Sequence, residues 1–419
     1  MTVIDLGELR HDDQPAPEPR RPRAVGRPLR VAVAGLLALL SLVAAAPPPD
    51  RPVRLVSRTL PEPAFLVAGE LLVLVESTGG GSLPARRLHA LALADGRERW
   101  TWALPGGAQL AGFDTVADGV VVSLDTGRGQ ESVLLDRGDG RVRWRQPGVA
   151  VPTGDGGLLL NTNTTGEVIL RRVHPVSGAV RWTAAMPFGM VMYRMAGPRI
   201  AAIVVVDDGG RVEIRDPATG VRRFAFRVPA ARDETYEVSQ VVGDLLLVDG
   251  EPGQLDAYEL DTGKRRWQLP YDRPAPFAYE CDSAVCVGRP NGGMRVLDPA
   301  TGRPRWAGEQ WAPAFRVGDR LLAARAGESD QLALLDPATG RVTADLGRWR
   351  LLGGPWLPRP LLLTRPLAGD RHLVGELDAE GAIRLRDVVP EAGDLCSAQR
   401  GAMVCWGHTG ELRLWRLTR

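Results

Sequence analysis

The sequence predicts an all-β fold, a β-propeller, from three observations: a repeat of about 41 residues, short apolar or alternating strands within it, and a tight turn at a fixed place in it. The glycines of these turns are separated by 38 to 44 residues. They are Gly96, Gly140, Gly178, Gly220, Gly263, Gly302, Gly340 and Gly381. A unit of this length holds three or four short strands, whereas a helical repeat would need longer runs with apolar residues spaced by three and four.

The recurring turn has a sequence that explains its shape. Its fullest form is Asp298-Pro299-Ala300-Thr301-Gly302. Asp accepts hydrogen bonds from backbone amides, Pro presets the first dihedral of the turn, and Gly adopts the left-handed conformation. An aromatic residue follows four positions after the glycine in six of the eight copies. These aromatic residues are Trp100, Trp144, Trp182, Phe224, Trp267 and Trp306, whereas Ala344 and Leu385 occupy the position in the last two copies.

The number of blades follows from the apolar strand before each hairpin, which recurs nine times. The last copy, 402–406 with 411–417, ends without an outermost strand. An isolated strand at 53–60 precedes the first repeat, and its pairing with the last one would close the ring. Nine blades result from a literal count, and eight result if the degenerate unit around 348–386 forms no blade of its own. Eight is favoured because common propellers have four to eight blades, and nine stays open.

The region before the propeller is expected to contain three segments. Residues 1–28 include five prolines and are expected to be a disordered cytoplasmic tail. Residues 29–46 are apolar except for Arg30 and Ser41, which predicts one transmembrane helix. Residues 47–52 form a proline-rich linker, and the propeller is expected to span 53–419.

The orientation of this segment is predicted by charge. Five arginines and no acid lie between residues 20 and 30, which favours a cytoplasmic N-terminus and a propeller outside the cell membrane. The alternative is a cleaved signal peptide, with small residues at Ala44-Ala45-Ala46, and hence a secreted soluble propeller. Both interpretations export the chain beyond about residue 50.

The four cysteines are predicted to form two disulfides within hairpins. A two-residue turn at Ser283-Ala284 would place Cys281 opposite Cys286, and a turn at 400–401 would place Cys396 opposite Cys405. Directly opposed, non-hydrogen-bonded pairs bring Cα atoms to about 4.5 Å, which allows a bridge. A zinc site is the competing interpretation, but no histidine lies beside these cysteines and export favours oxidation.

Composition and motifs exclude several functional classes. Hydrophobic residues make up 44% of the 419 residues and charged residues 24%, as in a folded protein. The net charge is only +2, so the sequence gives no reason to expect a nucleic-acid partner. No phosphate loop, Gly-x-Ser-x-Gly elbow or His-Glu-x-x-His motif is present. The turn aspartates have a structural explanation, so no catalytic, cofactor-binding or metal-binding residue is predicted.

The repeated Asp-Thr-Gly turn followed by Trp resembles the pyrroloquinoline-quinone-like (PQQ-like) propeller repeat over about residues 60–419. In that family the Trp after the hairpin packs on the next blade, which implies a docking role for the six aromatic residues. The repeat also occurs in quinoprotein alcohol dehydrogenases, in a lipoprotein scaffold of outer-membrane barrel assembly and in sensor domains. Quinoprotein dehydrogenases use an adjacent Cys-Cys bridge, which this sequence lacks, and no cysteine precedes Cys281 to carry a lipid anchor.

The resulting expectation is a non-enzymatic, membrane-anchored, extracytoplasmic binding or scaffold propeller without a cofactor. Its partner would be an unknown exported protein, peptide or glycan, and the alternative is a PQQ-dependent dehydrogenase-like enzyme. Four tryptophans outside the repeat position are candidate contact residues, although core packing is the favoured role for each. They are Trp102, Trp311, Trp349 and Trp356.

Overall fold

The computed structural model describes residues 53–55, 65–78, 85–164, 166–229, 239–249, 253–270, 277–281, 283–289, 293–352, 361–369, 371–390, 395–399, 402–406 and 412–417. The predicted tail, membrane segment and linker lie outside these residues. Within them, no helix has the length and apolar character needed to cross a membrane.

The described residues form nine four-stranded antiparallel sheets, which we number as blades 1 to 9. Blades 1 to 3 consist of β2 (Phe65–Ala68), β3 (Leu71–Thr78), β4 (Ala85–Ala92) and β5 (Glu98–Ala103); β6 (Gln109–Val116), β7 (Gly119–Asp125), β8 (Gln130–Asp136) and β9 (Val142–Pro147); and β10 (Val149–Pro152), β11 (Leu158–Asn163), β12 (Glu167–Val173) and β13 (Val180–Pro187). Blades 4 to 6 consist of β14 (Gly189–Ala196), β15 (Arg199–Asp207), β16 (Arg211–Arg215) and β17 (Arg222–Arg227); β18 (Ser239–Val242), β19 (Leu245–Asp249), β20 (Gln254–Glu259) and β21 (Arg265–Pro270); and β22 (Ala278–Cys281), β23 (Ala284–Gly288), β24 (Met294–Leu297) and β25 (Pro304–Gly308). Blades 7 to 9 consist of β26 (Phe315–Val317), β27 (Arg320–Arg325), β28 (Glu328–Leu335) and β29 (Val342–Arg348); β30 (Arg350–Leu352), β31 (Leu361–Leu367), β32 (Arg371–Leu377) and β33 (Ile383–Pro390); and β34 (Leu395–Gln399), β35 (Ala402–Trp406), β36 (Leu412–Arg416) and β1 (Val53–Leu55).

The hydrophobic core lies between the blades rather than inside any one of them. Each pair of neighbouring blades shares a separate cluster of buried side chains, to which the second and third strands contribute most and the first and fourth strands add fewer residues. One cluster joins blade 9 to blade 1 through Val404 and Leu412 on one side and Val67 and Leu72 on the other. Nine interfaces for nine blades therefore make a closed ring.

This count is the larger of the two numbers that the sequence left open. The unit around 348–386, whose independence was in question, forms blade 8 with its own four strands. The sequence favours eight because common propellers have four to eight blades. The strands of blade 8 nevertheless bury Leu361, Leu363 and Leu377 against blade 7, which is enough to define a blade.

The ring is closed by the N-terminal strand, as predicted. β1 pairs antiparallel with β36, with Val53 opposite Leu414 and Leu55 opposite Leu412. Blade 9 thus takes three strands from the C-terminal end of the chain and its outermost strand from residues before blade 1. The remainder of the predicted strand, 56–60, lies outside the described residues.

Both predicted disulfides are present, but one hairpin has a different register. Cys396 lies directly opposite Cys405, with their Cα atoms 4.1 Å apart, as predicted. Cys281 instead pairs with Ala284, and Cys286 pairs with Tyr279, so that disulfide joins diagonal neighbours whose Cα atoms are 5.7 Å apart. The prediction of a turn at Ser283-Ala284 is wrong, because Ala284 belongs to β23, whose five residues are all buried.

Candidate partner-binding surface on the turn face

In blades 1 to 7, two sets of turns lie at the same end of each blade and form one surface, which we call the turn face. In an antiparallel sheet of four strands, the connection between the first and second strands lies at the same end of the sheet as the connection between the third and fourth strands. The recurring Asp-Thr-Gly turn is the second of these connections. Its glycines have positive φ, for example +72° at Gly140 and +68° at Gly302.

The repeat tryptophans lie against the turn of the following blade. The indole N–H of Trp100 in blade 1 donates to the carbonyl oxygen of Arg137 in blade 2 at 2.9 Å. A Cβ built on Gly140 would come within 2.7 Å of the Trp100 ring, so the glycine is needed for the close approach as well as for its dihedral angle. Trp144, Trp182, Trp267 and Trp306 make the equivalent N–H contacts, with Pro175, Ala218, Pro299 and Pro337.

Blade 4 differs from this pattern in the residue that makes the contact. Phe224 holds the register position of the tryptophans, since it pairs with Ile214. The side chain nearest to Gly263 of blade 5 is however Phe226, whose Cβ and Cγ lie 2.6 Å from a Cβ built on that glycine. A phenyl ring is shorter than an indole, so the residue two positions along the same strand face reaches the turn instead.

A β-bulge at the base of the turn orients an arginine. In blades 1 to 7 the third and fourth strands slip by one residue, and the extra residue is the one three positions after the turn glycine. A bulge interrupts the regular alternation of side chains along the strand, so the bulged side chain can point in a different direction. In six of these blades it is an arginine, and blade 7 has Thr343.

The bulged arginine binds a carboxylate four residues before the glycine, an arrangement that we call the arginine clasp. Arg143 Nε lies 3.0 Å from Asp136 Oδ2 in blade 2, and Arg266 Nε lies 2.9 Å from Glu259 Oε1 in blade 5. Blades 4 and 6 have the same pair, Arg223 with Asp216 and Arg305 with Asp298. In blades 2 and 5 a second carboxylate, Asp118 or Asp244, approaches from the first turn of the blade.

The clasp explains the electrostatics of the turn aspartates. Arg143 is the main cause that lowers the pKa of both Asp136 and Asp118 below the ordinary value of 3.8, and backbone N–H groups of the turn act on Asp136 in the same direction. Arg305 likewise lowers the pKa of Asp298. These carboxylates are ionised and fully hydrogen-bonded, which is the state expected of structural turn residues and not of proton-transfer groups.

Blade 1 lacks the carboxylate of the clasp. Ala92 stands at the position of Asp136, while Arg99 is retained as the bulged residue. An open groove of about 490 Å³ lies at this place, lined by Ala92 and Arg99 together with Glu70 of the first turn and Arg137 of blade 2. Among the described residues, neither of these two arginines makes a salt bridge. Sequence reasoning did not single out this groove, although aligned repeats contain the signal, an alanine where other repeats have Asp or Glu.

Blade 3 also lacks the carboxylate, but other side chains lie at its turns. His174 stands at the position, and its Nδ1 bonds within the turn to Ser177. The first turn of the blade is filled by Arg172, which is 6% exposed and reaches both Asp155 Oδ2 at 2.9 Å and the carbonyl of Pro217 at 2.8 Å. The buried guanidinium of Arg172 thus lies in blade 3 at the place that corresponds to the open groove of blade 1.

The candidate contact tryptophans are placed mainly in the core. Trp311 and Trp349 are each 4% exposed, so neither is a surface contact residue. Trp102 is half-buried against the cluster between blades 1 and 2, with the guanidinium of Arg145 over its ring at 5.9 Å. Trp356 lies outside the described residues. In the part of the chain that the structure covers, no three metal-ligating side chains of His, Cys, Asp or Glu come together.

Comparison with known families agrees with the repeat and the ring. Residues 84–250, from β4 to β19, match the family described as outer membrane protein assembly factor BamB. The chain resembles this family of PQQ-like repeats over those residues. A comparison with curated proteins finds no match.

Several solved structures are similar to this chain at low sequence identity. BamB from Moraxella catarrhalis is 18% identical, with 62% of this chain and 80% of that chain covered and a TM-score of 0.42. A europium-containing methanol dehydrogenase is 14% identical, with 65% and 72% covered and a TM-score of 0.42. The computationally designed Ika8 protein is 12% identical, with 74% and 96% covered and a TM-score of 0.45. At these identities the likeness concerns the fold alone.

Proposed function

We propose that this PQQ-like propeller is a non-enzymatic, membrane-anchored scaffold that binds an exported protein partner through its turn face. The observation that carries the proposal is the use of the turn side chains. The repeated aspartates are ionised and committed to arginines and backbone N–H groups, so they act as structural elements of a rigid ring. A rigid ring that displays many turns suits recognition.

Three further observations support the proposal. The family matched by residues 84–250 is described as an assembly factor, which is a role in binding other proteins. Two disulfides in a chain with four cysteines and none free favour an oxidising compartment outside the cytoplasm. The apolar segment 29–46, with arginines before it, supports anchoring with the N-terminus inside.

The test uses the full chain in a bacterial host that exports it. Intact cells are treated with a membrane-impermeant crosslinker, the membrane fraction is isolated, and captured proteins are identified. We expect the chain to keep its N-terminus, to stay in the membrane fraction and to capture the same exported protein in replicate experiments. A variant with Leu36→Arg and Leu39→Arg in the apolar segment is the control, because two charges should prevent retention in the membrane.

Two results would contradict the proposal. Recovery of a processed, soluble chain without a partner would eliminate the anchored scaffold. Calcium-dependent binding of pyrroloquinoline quinone, with reduction of a dye in the presence of an alcohol, would establish the enzyme alternative instead. That alternative has no support from the cysteines, since no two of them are adjacent and each disulfide joins neighbouring strands of one blade.

A further inference from the structure

We propose that the groove between blades 1 and 2 binds a carboxylate side chain of the protein partner, which takes the place of the aspartate that the other clasps carry. This inference rests on the proposed function and specifies its contact. It depends on three observations: the backbone of the turn, the charges in the groove and the groove itself.

The backbone of blade 1 is already shaped for a carboxylate. The N–H of Ala92 donates to the carbonyl of Arg97 at 2.8 Å, and the N–H of Gly96 donates to the carbonyl of Ala92 at 2.8 Å. In blade 2 the same two bonds join Asp136 with Arg141 and Gly140 with Asp136, at 2.8 and 2.9 Å. The two turns therefore share these main-chain bonds, while their side chains differ at three positions, where blade 1 has Ala92, Leu93 and Ala94 in place of Asp136, Arg137 and Gly138. Of these three positions, only the first holds the carboxylate of a clasp.

The groove contains one carboxylate fewer than the corresponding place in blade 2. Arg143 of blade 2 binds two carboxylates at once, one from each turn. In blade 1 only Glu70, from the first turn, is available to Arg99, and Arg137 adds a second positive charge to the same groove. The side chain of Arg137 lies over the first turn, with Nη1 3.3 Å from a Cβ built on Gly69. Among the residues that line the groove, two cations therefore face one anion, and Asp118 acts on Arg137 from outside the groove.

The chemistry of these groups favours a carboxylate on a peptide. Guanidinium groups bind planar carboxylates through two parallel hydrogen bonds, as the clasps of this ring already do. The groove is open to the surface, so a side chain that projects from a protein can enter it. Ala92, Ala94 and Leu71 give it a small apolar wall for the methylene groups of Asp or Glu.

The test measures binding of a fluorescein-labelled peptide of alternating Glu and Gly by fluorescence polarisation, with the Gln–Gly peptide as the probe control. Arg99→Ala should weaken binding of the Glu peptide about tenfold, since it removes a charge-assisted pair. Arg97→Ala is the matched control. It removes the same charge from the same hairpin, but its side chain is 86% exposed and lies outside the groove, so binding should stay within about twofold.

The decisive variant is Ala92→Asp, which restores the clasp. It should abolish binding of the Glu peptide, because the new carboxylate would pair with Arg99 in place of the peptide carboxylate. The same ion pair should raise the melting temperature. Equal binding by Arg99→Ala and Arg97→Ala, or by Ala92→Asp and the wild type, would overturn the proposal. Equal binding of the Glu and Gln peptides would show that the groove does not recognise a carboxylate, and would also overturn it. Displacement of the Glu peptide by inorganic phosphate as readily as by the unlabelled Glu peptide would show a general anion site and would overturn it too.

The proposed function and this contact fail in different ways. If crosslinking captures the same exported protein with the wild type, Arg99→Ala and Ala92→Asp, the scaffold stands and the groove is not its contact. If no variant captures a partner but the Glu peptide still binds with the expected preferences, the groove is a carboxylate site and the scaffold role fails.

Discussion

Single residues decide how one blade attaches to the next in this ring. The indole N–H of each repeat tryptophan reaches a carbonyl of the following turn, and the ring covers the turn glycine. Ala344 holds this position in blade 7, and the turn of blade 8 is covered instead by Leu334, whose Cδ1 lies 2.3 Å from a Cβ built on Gly381. Attachment therefore depends on a bulky side chain over the glycine more than on the indole itself.

Replacement of a turn glycine that lies under a tryptophan should lower the free energy of unfolding by more than the strain of its positive φ alone. Gly140→Ala places a methyl group at positive φ and against the Trp100 ring, whereas Gly127→Ala has the same φ, +71°, with no atom within 4 Å. We expect the control to lose about 1–2 kcal/mol from strain and Gly140→Ala to lose about 2 kcal/mol more from the clash. Urea unfolding of both variants measures the difference. Equal losses would show that the tryptophan does not press on the turn.

The clasp predicts a specific dependence of stability on pH. The pKa of Asp136 and of Asp118 is lower in the folded protein than the ordinary value of 3.8, mainly because of Arg143. Their contribution is therefore complete above about pH 5 and is lost as the pH falls below 3.8 toward the folded pKa. Arg143→Ala should reduce the melting temperature at pH 7, and its difference from the wild type should shrink below pH 3.8.

The control for this pH series is Arg141→Ala, because the side chain of Arg141 is 87% exposed and touches only Asp139. Its melting temperature should follow the wild type at every pH. A constant difference between wild type and Arg143→Ala from pH 7 to pH 3 would contradict the linkage.

Sequence reasoning at this scale found the turn and missed the exceptions. The spacing of Gly and Trp within each hairpin locates both residues in each blade that carries them. The repeat then places the Trp of one blade beside the Gly of the next blade. Sequence reasoning assigned the docking role in blade 4 to Phe224, whereas Phe226 on the same strand face lies nearest to Gly263, because the length of the ring decides which residue reaches the glycine. It also passed over Ala92, whose importance appears once Arg99, Glu70 and Arg137 are placed around it.

At the scale of the element, each disulfide joins the first and second strands of one blade. Blades 6 and 9 carry these bridges, at Cys281–Cys286 and Cys396–Cys405. The choice of partners followed from hairpin spacing. The register of the first hairpin did not, because a shift of the turn by one residue moves the pairing by two and keeps both cysteines on one side of the sheet.

Reduction of the disulfides should destabilise these two hairpins. Each bridge closes a short loop, so we expect a loss of about 2–3 kcal/mol for each one. The measurement is urea unfolding with and without dithiothreitol, for the wild type and for a variant with all four cysteines replaced by alanine. The wild type should lose stability in the reductant, and the variant should not respond. A wild type that does not respond, despite reduction shown by thiol titration, would contradict this expectation.

At the scale of the whole molecule, the ring depends on three residues from the start of the propeller. β1 covers the edge of β36, which would otherwise present unpaired backbone groups to other chains. A chain that begins at residue 57 should therefore self-associate and melt at a lower temperature than one that begins at residue 52. Size-exclusion chromatography with light scattering and thermal melting test this. Identical behaviour of the two chains would show that closure contributes little.

The number of blades was the least predictable property of the whole. Blades 1 to 7 can be recognised in the sequence by the recurring turn. Blade 9 has no such turn, and blade 8 has Leu385 in place of the aromatic residue. Closure of the ring depends on the shape of every interface together, and a repeat count cannot measure that shape. The strand at 53–55 was nevertheless predictable, because blade 9 ends one strand short.

The pairing of β1 with β36 also constrains when the protein can become native. Residues 53–55 leave the ribosome among the first of the propeller, but their partners at 412–414 are made last. Loop closure over so many residues is slow, so the opening strand must stay unpaired while eight blades are assembled. Chains interrupted before residue 412 would retain two open edges and should be substrates for chaperones or proteases. Closure of this ring therefore waits for the synthesis of β36.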